Sequence, residues 1–413
     1  MHAIRTTIKL LIFFILFAYS LQAQNTEELP YVLIISFDGF RWDYPNRGIT
    51  PNLDKIAKEG VKALSFEPTF PSKTFPNHLS IVTGMYIDHH GILYNRFKNP
   101  FSQREYQIKD TTALRDARWY DGEPLWVTAR KNGIISSSYF WPGSELKEDY
   151  LHPDYFKYYD KTRPHKERIE GIIHWLSLPP EKRPHLLFLY FSDTDTQGHR
   201  YGPESQEVNQ AIQLLDAQIG YLNKRLDDIG MRNKINIIIL SDHGMTNVRP
   251  DGLIKLWEIL GDRQVKLEGY GPVIQFFCHS QQEKQEIYRL MKKAENGFKI
   301  YRREELPNYF HYNRHPYLGD LIAVADPGYS FILNEKKYNK LKKRTAMGDH
   351  GYDNHYLDMH GIFFAVGPAF KKGYQTGTIR NIDVYPLVCK ILGMRWNRNI
   401  DGSLERIGFI LKQ

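Results

Sequence analysis

The chain has 413 residues, 42% hydrophobic and 14% aromatic, with a formal charge of +8. That length suits one large domain or a core with an inserted subdomain. Its basic residues are dispersed among acidic ones, which favours an anionic small substrate over a nucleic-acid polymer. The two cysteines, Cys278 and Cys389, are far apart and lack CxxC spacing, so neither a disulfide framework nor a zinc ribbon is expected, only buried thiols.

The first stretch, MHAIRTTIKLLIFFILFAYSLQAQ, has basic residues at Arg5 and Lys9, an apolar run from Leu10 to Ala18, and small or polar residues near Ala23. This is the layout of a secretory signal peptide over residues 1–23, the alternative being an uncleaved anchor; the run is short for a membrane span. A mature chain over 24–413 is expected. No later stretch is long and apolar enough to span a bilayer, so no membrane span is expected after cleavage.

Four apolar runs of strand length end at polar or acidic residues: YVLIISFD (31–38), HLLFLYFSD (185–193), INIIILSD (235–242) and IFFAVG (362–367). Continuous apolar runs suit strands buried on both faces of a parallel sheet. Helical patterns lie between them. TPNLDKIAKEG offers a threonine cap at Thr50, a proline in the first turn and a terminal glycine. ESQEVNQAIQLLDAQIGYLNKRLDDIG repeats apolar residues at three- and four-residue spacing. The alternation predicts a doubly wound α/β core with helices on both faces. Residues 264–340 read differently, as strand, helix, strand, strand, which predicts a small inserted α+β subdomain.

Ligands of an open α/β sheet bind beyond the carboxyl ends of its strands. Asp38 closes the first strand, Asp195 and His199 follow the second, Asp242 and His243 close the third, and His350 lies in a loop before the fourth. Singly, each reads as a cap, a turn or a core residue. Jointly, three Asp and three His suit two zinc ions, since zinc takes imidazole nitrogen and carboxylate oxygen. Two such ions can clamp the attacking and departing oxygens of a phosphoryl transfer. Thr74 starts the helical stretch TFPNHLSIVTG. Its hydroxyl is either a cap or, beside a metal ion, a nucleophile. A helix N-terminus there would favour an anionic phosphoryl group.

The segments FDGFRWDY, PSKTFPNH, TGMYIDHHGILYN, FWPGSE, DTDTQGHRYGP, SDHGM and GDHGYDN with MHGIFFAVGPAF resemble, in order, the nucleotide pyrophosphatase/phosphodiesterase family of the alkaline phosphatase superfamily. The resemblance runs from about Tyr31 to Leu392 and implies an alkaline-phosphatase-like α/β fold with a mostly parallel sheet. It also implies that Asp38, Thr74, Asp242 and His243 hold one zinc ion and that Asp195, His199 and His350 hold the other. Thr74 would attack phosphorus and Asn95 would contact a phosphate oxygen. Phe75 and Tyr159 would stack a nucleobase, with Trp141 as a pocket wall or packing residue. His78, His89, His90 and His360 match no ligand and are expected to be structural, as is Asp353 in a turn or behind the site. Lys73 and Arg96 flank the site without an assigned contact.

The implied activity is that of a secreted two-zinc phosphodiesterase working through a phospho-threonine intermediate. The cysteine-rich and nuclease-like domains of multidomain animal members are missing. With no N-x-S/T sequon, the chain looks like a bacterial, periplasmic export product. Three other readings share the metal set: a lipid or choline head-group phosphodiesterase, a phosphomonoesterase, and a phosphonoacetate-type hydrolase. A non-catalytic metal-binding surface protein is the reading of a different class.

Overall fold

The run YVLIISF forms strand β1 (Tyr31–Phe37), and every residue of it is buried. The chain adds β2 (Val61–Ala63), β3 (Ser136–Tyr139), β4 (Tyr155–Lys157), β5 (Leu186–Phe191) and β6 (Ile235–Leu240) to the same sheet. It then builds a separate sheet from β7 (Lys266–Tyr270), β8 (Val273–Phe277), β9 (Phe298–Arg302) and β10 (Leu321–Ala325). Finally it returns to the first sheet with β11 (Phe363–Val366) and β12 (Tyr374–Thr376). This computed structural model describes residues 29–102 and 104–412. The leader predicted over 1–23 lies outside the described residues.

The eight-stranded sheet has the order β12-β2-β11-β6-β1-β5-β3-β4. The four strands expected from apolar runs are its middle, β11-β6-β1-β5. Strand β1 is parallel to both neighbours, with Ile34 opposite Phe188 on one side and Ile238 on the other. Only β11 runs against its neighbours β6 and β2. Its first residue, Phe363, pairs with Leu240, the last of β6. The chain thus enters β11 at the edge where β6 leaves, which is the edge that carries the site.

The helices that bear on the site are α1 (Pro51–Glu59), α2 (Thr74–Thr83), α3 (Leu125–Lys131), α4 (His165–Leu176), α5 (Asp193–Tyr201), α6 (Gln206–Asp228), α7 (Gln281–Lys293) and α8 (Glu335–Leu341). Side chains alternate along a strand. Leu33, Ile35 and Phe37 therefore share one core with Ile172 of α4 and Ile219 of α6. Toward the other face, Phe188 of β5 packs edge-on against Trp126 of α3, ring centres 5.6 Å apart. Both faces are covered, which is why these strands are apolar throughout.

Three details differ from the sequence reading. Thr50 sits at the N-cap of α1 but makes no side-chain cap bond; its hydroxyl donates to the Pro45 carbonyl. The buried Asp216 carboxylate caps the helix from α6 instead, accepting from the Asn52 and Leu53 amides at 3.1 and 2.9 Å. A carboxylate satisfies the free N–H groups and the helix dipole better than a hydroxyl. Within 264–340, β7 is a strand that the sequence reading lacked; KLEGY has one buried residue and a glycine at φ 95°. The resulting sheet, β7-β8-β10-β9, is antiparallel throughout, and α7 packs on it with a core of its own. Last, β3 reads SSSY and is fully buried despite its serines.

Cys278 and Cys389 are both free thiols; Cys389 is buried as expected, whereas Cys278 is only half-buried. Among the described residues, no helix is long and apolar enough to cross a membrane.

Candidate active site

Because β1 and β6 are parallel neighbours in register, the residues after them meet at one edge. Asp38 follows β1, and Asp242 and His243 follow β6. His243 Nε2 lies 3.3 Å from Asp38 Oδ1 and 3.1 Å from Asp242 Oδ2. Asp195 and His199 stand four residues apart on α5, hence on one helix face. Asp195 Oδ1 is 3.3 Å from His199 Nε2 and 3.5 Å from His350 Nε2. His350 comes from the loop after the two-residue strand Gly348–Asp349. The two triads, Asp38/Asp242/His243 and Asp195/His199/His350, each bring their ligand atoms within 4.8 Å of one another. They adjoin through stacked His243 and His350 rings, 3.6 Å between centres.

The donors suit metal ions. Each histidine spends Nδ1 on a backbone carbonyl: His243 on Gly244 at 2.8 Å, His199 on Gly348 at 3.0 Å, and His350 on Ser72 at 2.7 Å. A carbonyl only accepts, so Nδ1 carries the proton and Nε2 presents its lone pair to the cluster. Two such lone pairs, on His199 and His350, face each other at 3.1 Å. Three buried carboxylate oxygens of the triads, Asp38 Oδ1, Asp195 Oδ1 and Asp242 Oδ2, have no hydrogen-bond partner. Orphaned buried carboxylate oxygens are costly unless a cation meets them. These residues fit divalent ions.

The electrostatics agree. Burial, then repulsion from Asp242, pushes the Asp38 carboxyl up, and burial does the same to Asp195. Burial holds the His350 imidazole well below its ordinary value, helped by His243 and Lys73. Burial would lower His243 too, but Asp242 and Asp38 raise it to about 9, so that a second proton on Nε2 competes for the place between the carboxylates that a metal ion would take. The triads hold more negative charge than their histidines can balance.

Thr74 is the first residue of α2 and Lys73 the N-cap, with no side-chain cap bond. The Thr74 hydroxyl is therefore not a cap. Its Oγ1 lies 3.3 Å from His243 Nε2. Asn95 meets the same helix end, its Oδ1 accepting from the Phe75 amide at 3.1 Å. All of this opens on a cavity of about 550 Å³ lined by Thr74, Phe75, Asn95, Trp141, Tyr159 and residues of both triads. Tyr159 is 47% exposed, its ring against Phe140 and Tyr190. Phe140 has φ 74°, a conformation side chains resist, at the turn that delivers Trp141 to the cavity. The structure thus brings every predicted site residue to one place.

It also adds two residues that the sequence reading missed, Tyr190 and Ser72, and places four that it had named beside the site. The Tyr190 hydroxyl donates to Asp38 Oδ2. Ser72 holds His350, as above, and its Oγ accepts from the Gly351 amide. Lys73 is buried against Asp349, Nζ to Oδ1 3.2 Å, and so ties the Thr74 segment to the His350 loop. His78 stands behind the site, 3.3 Å from Asp242 and bonded to the Thr74 carbonyl. Asp353 is a turn residue, accepting from the His355 amide and the Tyr309 hydroxyl. Arg96 is exposed and paired with Glu105.

A mostly parallel α/β sheet with acidic and histidine triads at its strand ends defines a protein of the alkaline-phosphatase-like fold class with two candidate metal sites. Residues 32–353 match the family described as type I phosphodiesterase / nucleotide pyrophosphatase, and the chain belongs to that family. It is 35% identical over 393 residues to human ectonucleotide pyrophosphatase/phosphodiesterase family member 1, covering 92% of this chain and 42% of that relative. It is likewise 35% identical to the Xenopus laevis bis(5'-adenosyl)-triphosphatase enpp4, covering 94% of this chain and 83% of that one. The fold is similar to that of murine ectonucleotide pyrophosphatase / phosphodiesterase 5, solved as an inactive threonine-to-alanine variant in complex with AMP. The TM-score is 0.86 at 31% identity, over 93% of this chain and 100% of that chain. The human counterpart matches at 0.85 and 32%, with the same coverage.

Proposed function

We propose that the chain is an exported, periplasmic two-zinc phosphodiesterase and nucleotide pyrophosphatase acting on small nucleotides, with Thr74 as nucleophile. The observation that carries this reading is the 3.3 Å approach of the Thr74 hydroxyl to His243 Nε2 at the edge of the cavity that Thr74, Asp38 and the Asp195/His199/His350 triad line. Imidazole and carboxylate donors suit zinc. Asp38, Thr74, Asp242 and His243 would hold one ion, and Asp195, His199 and His350 the other. Bound there, the ions would supply Lewis acidity, easing ionisation of the hydroxyl and neutralising phosphoryl charge.

The chain's own residues do the rest. The Asn95 side-chain oxygen is taken by the Phe75 amide, so its NH₂, beside Tyr270, is the group that can donate to a phosphate oxygen. Phe75 and Tyr159 form a slot in which a nucleobase stacks. Thr74 Oγ1 bonds to phosphorus as the bond to the leaving oxygen breaks, and the hydroxyl proton ends on that departing oxygen. Water then cleaves the phospho-threonine and restores Thr74. The AMP held by the murine relative and the nucleotide named for the frog relative support a nucleotide substrate.

A monoester carries one more charge than a diester, and enzymes selective for monoesters add a cation to meet it. Here the phosphate contact is neutral Asn95, while Lys73 is spent on Asp349. The test is the ratio of kcat/KM for p-nitrophenyl TMP to that for p-nitrophenyl phosphate, with glycerophosphocholine as a third substrate. The reading expects a ratio above about ten. A ratio below one indicates a phosphomonoesterase, preference for glycerophosphocholine a head-group enzyme, and metal binding without turnover a binding protein.

A further inference from the structure

The large sheet has a second edge, opposite the one that carries the site. Register brings Tyr31, which opens β1, beside Ile235, which opens β6. Val366, the last residue of β11, lies opposite Ile237, and Val61 of β2 pairs with both Ala365 and Tyr374. A cavity of about 630 Å³ opens at this edge, and its charge is lopsided. Lys55, Lys58, Arg232, Lys372 and Lys412 line it against two carboxylates, Glu59 and Asp227.

Pairing uses up little of that charge. Arg232 and Lys55 both turn to Glu59, at 3.2 and 3.8 Å. Lys412 Nζ donates to the Pro368 carbonyl at 2.8 Å, which leaves its charge unmet. Among the described residues, no ion pair involves Lys58, Lys371 or Lys372. Lys58 stands in the last turn of α1, where a cation also suits the helix dipole. Arg232, Lys371, Lys372 and Lys412 come from loops and have no such reason to gather.

An exposed aromatic sits among them. Phe409 is 41% exposed, its ring 6.3 Å from that of Tyr374. Lys371 Nζ lies 4.9 Å from the Tyr374 ring centre. The Lys371 amide donates to the Ile410 carbonyl and the Lys412 amide to that of Ala369, so Phe409 is held close to the lysines at the cavity rim.

Lys55, Lys58, Lys372 and Lys412 are all exposed, which argues against a small ligand, since such ligands are enclosed. Lysines around an exposed aromatic suit a bilayer surface: cations meet anionic headgroups, and the ring enters the interface. We infer that this edge docks on an anionic phospholipid bilayer, with Lys58, Lys371, Lys372 and Lys412 at the headgroups and Phe409 at the interface. The leader predicted over 1–23 is joined to the body at this edge too, through Tyr31. Docked so, the enzyme holds its active site at the far end of the sheet, toward soluble substrates. Attachment is kept apart from catalysis, whichever ester is cleaved.

The experiment is co-sedimentation of the zinc-loaded mature chain with vesicles of phosphatidylcholine, alone or with about 30% phosphatidylglycerol. The parent should bind the anionic vesicles at least about tenfold better than the neutral ones, and lose them in about 0.5 M NaCl. Lys58→Glu/Lys372→Glu should bind the anionic vesicles at least about tenfold less, since each cation near such a surface contributes about a factor of five. Phe409→Ser should weaken binding about fivefold and keep its salt dependence. Lys336→Glu/Lys340→Glu makes the same charge change on α8, whose Lys337 shares a cavity with Asn95 beside the active site, and should bind as the parent does. All three variants should melt at the parent's temperature and cleave p-nitrophenyl TMP as it does in vesicle-free solution. Equal binding of the parent to both vesicles overturns the inference with no variant needed. A folded Lys58→Glu/Lys372→Glu that binds as the parent does, or an equal loss in the α8 variant, overturns it as well. Binding to dextran sulfate with none to vesicles identifies a soluble polyanion as the partner and overturns the bilayer.

Discussion

His350 donates from Nδ1 to the carbonyl of Ser72 at 2.7 Å, two residues before Thr74. The loop that carries Thr74 thus also orients a histidine of the neighbouring triad. Ser72 Oγ adds a bond from the Gly351 amide at 3.1 Å and one to the Tyr352 carbonyl at 3.2 Å. The two loops form one unit, so the orientation of His350 and the position of Thr74 are coupled.

Ser72→Ala tests this coupling. It leaves the buried Gly351 N–H without a partner, at a cost of about 1–3 kcal/mol. The His350 carbonyl contact is backbone and survives, but its loop loosens. We expect a lower melting temperature and a loss of about tenfold in metal affinity. A variant that melts lower yet holds metal as tightly as the parent would show that the Ser72 side chain supports the fold without serving the site.

Metal removal gives the second prediction. Exhaustive chelation should abolish phosphodiester hydrolysis, and zinc should restore it. His199→Ala and His350→Ala should weaken the same one of two ions, and their effects should be non-additive because both belong to one triad. Elemental analysis before and after chelation checks the count. Full turnover at zero metal would remove the two-ion assignment.

How much of this was legible beforehand differs by element. The four middle strands were, because burial on both faces leaves them apolar. Strand β3 was not: its SSSY is polar, with Ser138 bonded to Ser144 and Ser136 to Asp154, while the buried Ser137 hydroxyl has no partner. The triad residues were legible only jointly: each alone reads as a cap, a turn or a core residue, and it is three Asp and three His at neighbouring strand ends that suit metal ions. Tyr190 sits inside the apolar run HLLFLYFSD and reads as core, although its hydroxyl serves Asp38. Ser72 was silent for a different reason: its hold on His350 is a backbone carbonyl, which any residue supplies.

The pH dependence of stability gives a third prediction. Burial, with a small contribution from His355, holds the His360 imidazole down to about 4. An unfolded histidine titrates near 6.5. Between those values the unfolded chain binds a proton that the folded chain refuses, so stability from this group falls as pH drops from about 6.5 toward 4 and is level outside that window. His360 Nε2 donates to the Asn354 carbonyl at 2.9 Å, a bond that His360→Gln can keep without titrating. The variant should melt lower at pH 7.5, having lost the Ser65 bond at 2.8 Å. Its melting temperature should then decline less than the parent's between pH 6.5 and 5, a difference of about 2 kcal/mol. Parallel declines in the two proteins would place the acid sensitivity elsewhere.

The central claim is that Thr74 is the nucleophile of a metal site and not a helix-capping residue. The most direct measurement is turnover of p-nitrophenyl TMP by Thr74→Ala, with metal content and melting temperature recorded on the same sample. The account predicts a loss of at least about three orders of magnitude, with the fold intact and most of the metal retained, because the covalent route is gone while Asp38, Asp242 and His243 remain. Retention of more than about a tenth of the parent's activity by a folded, metal-loaded Thr74→Ala would contradict it.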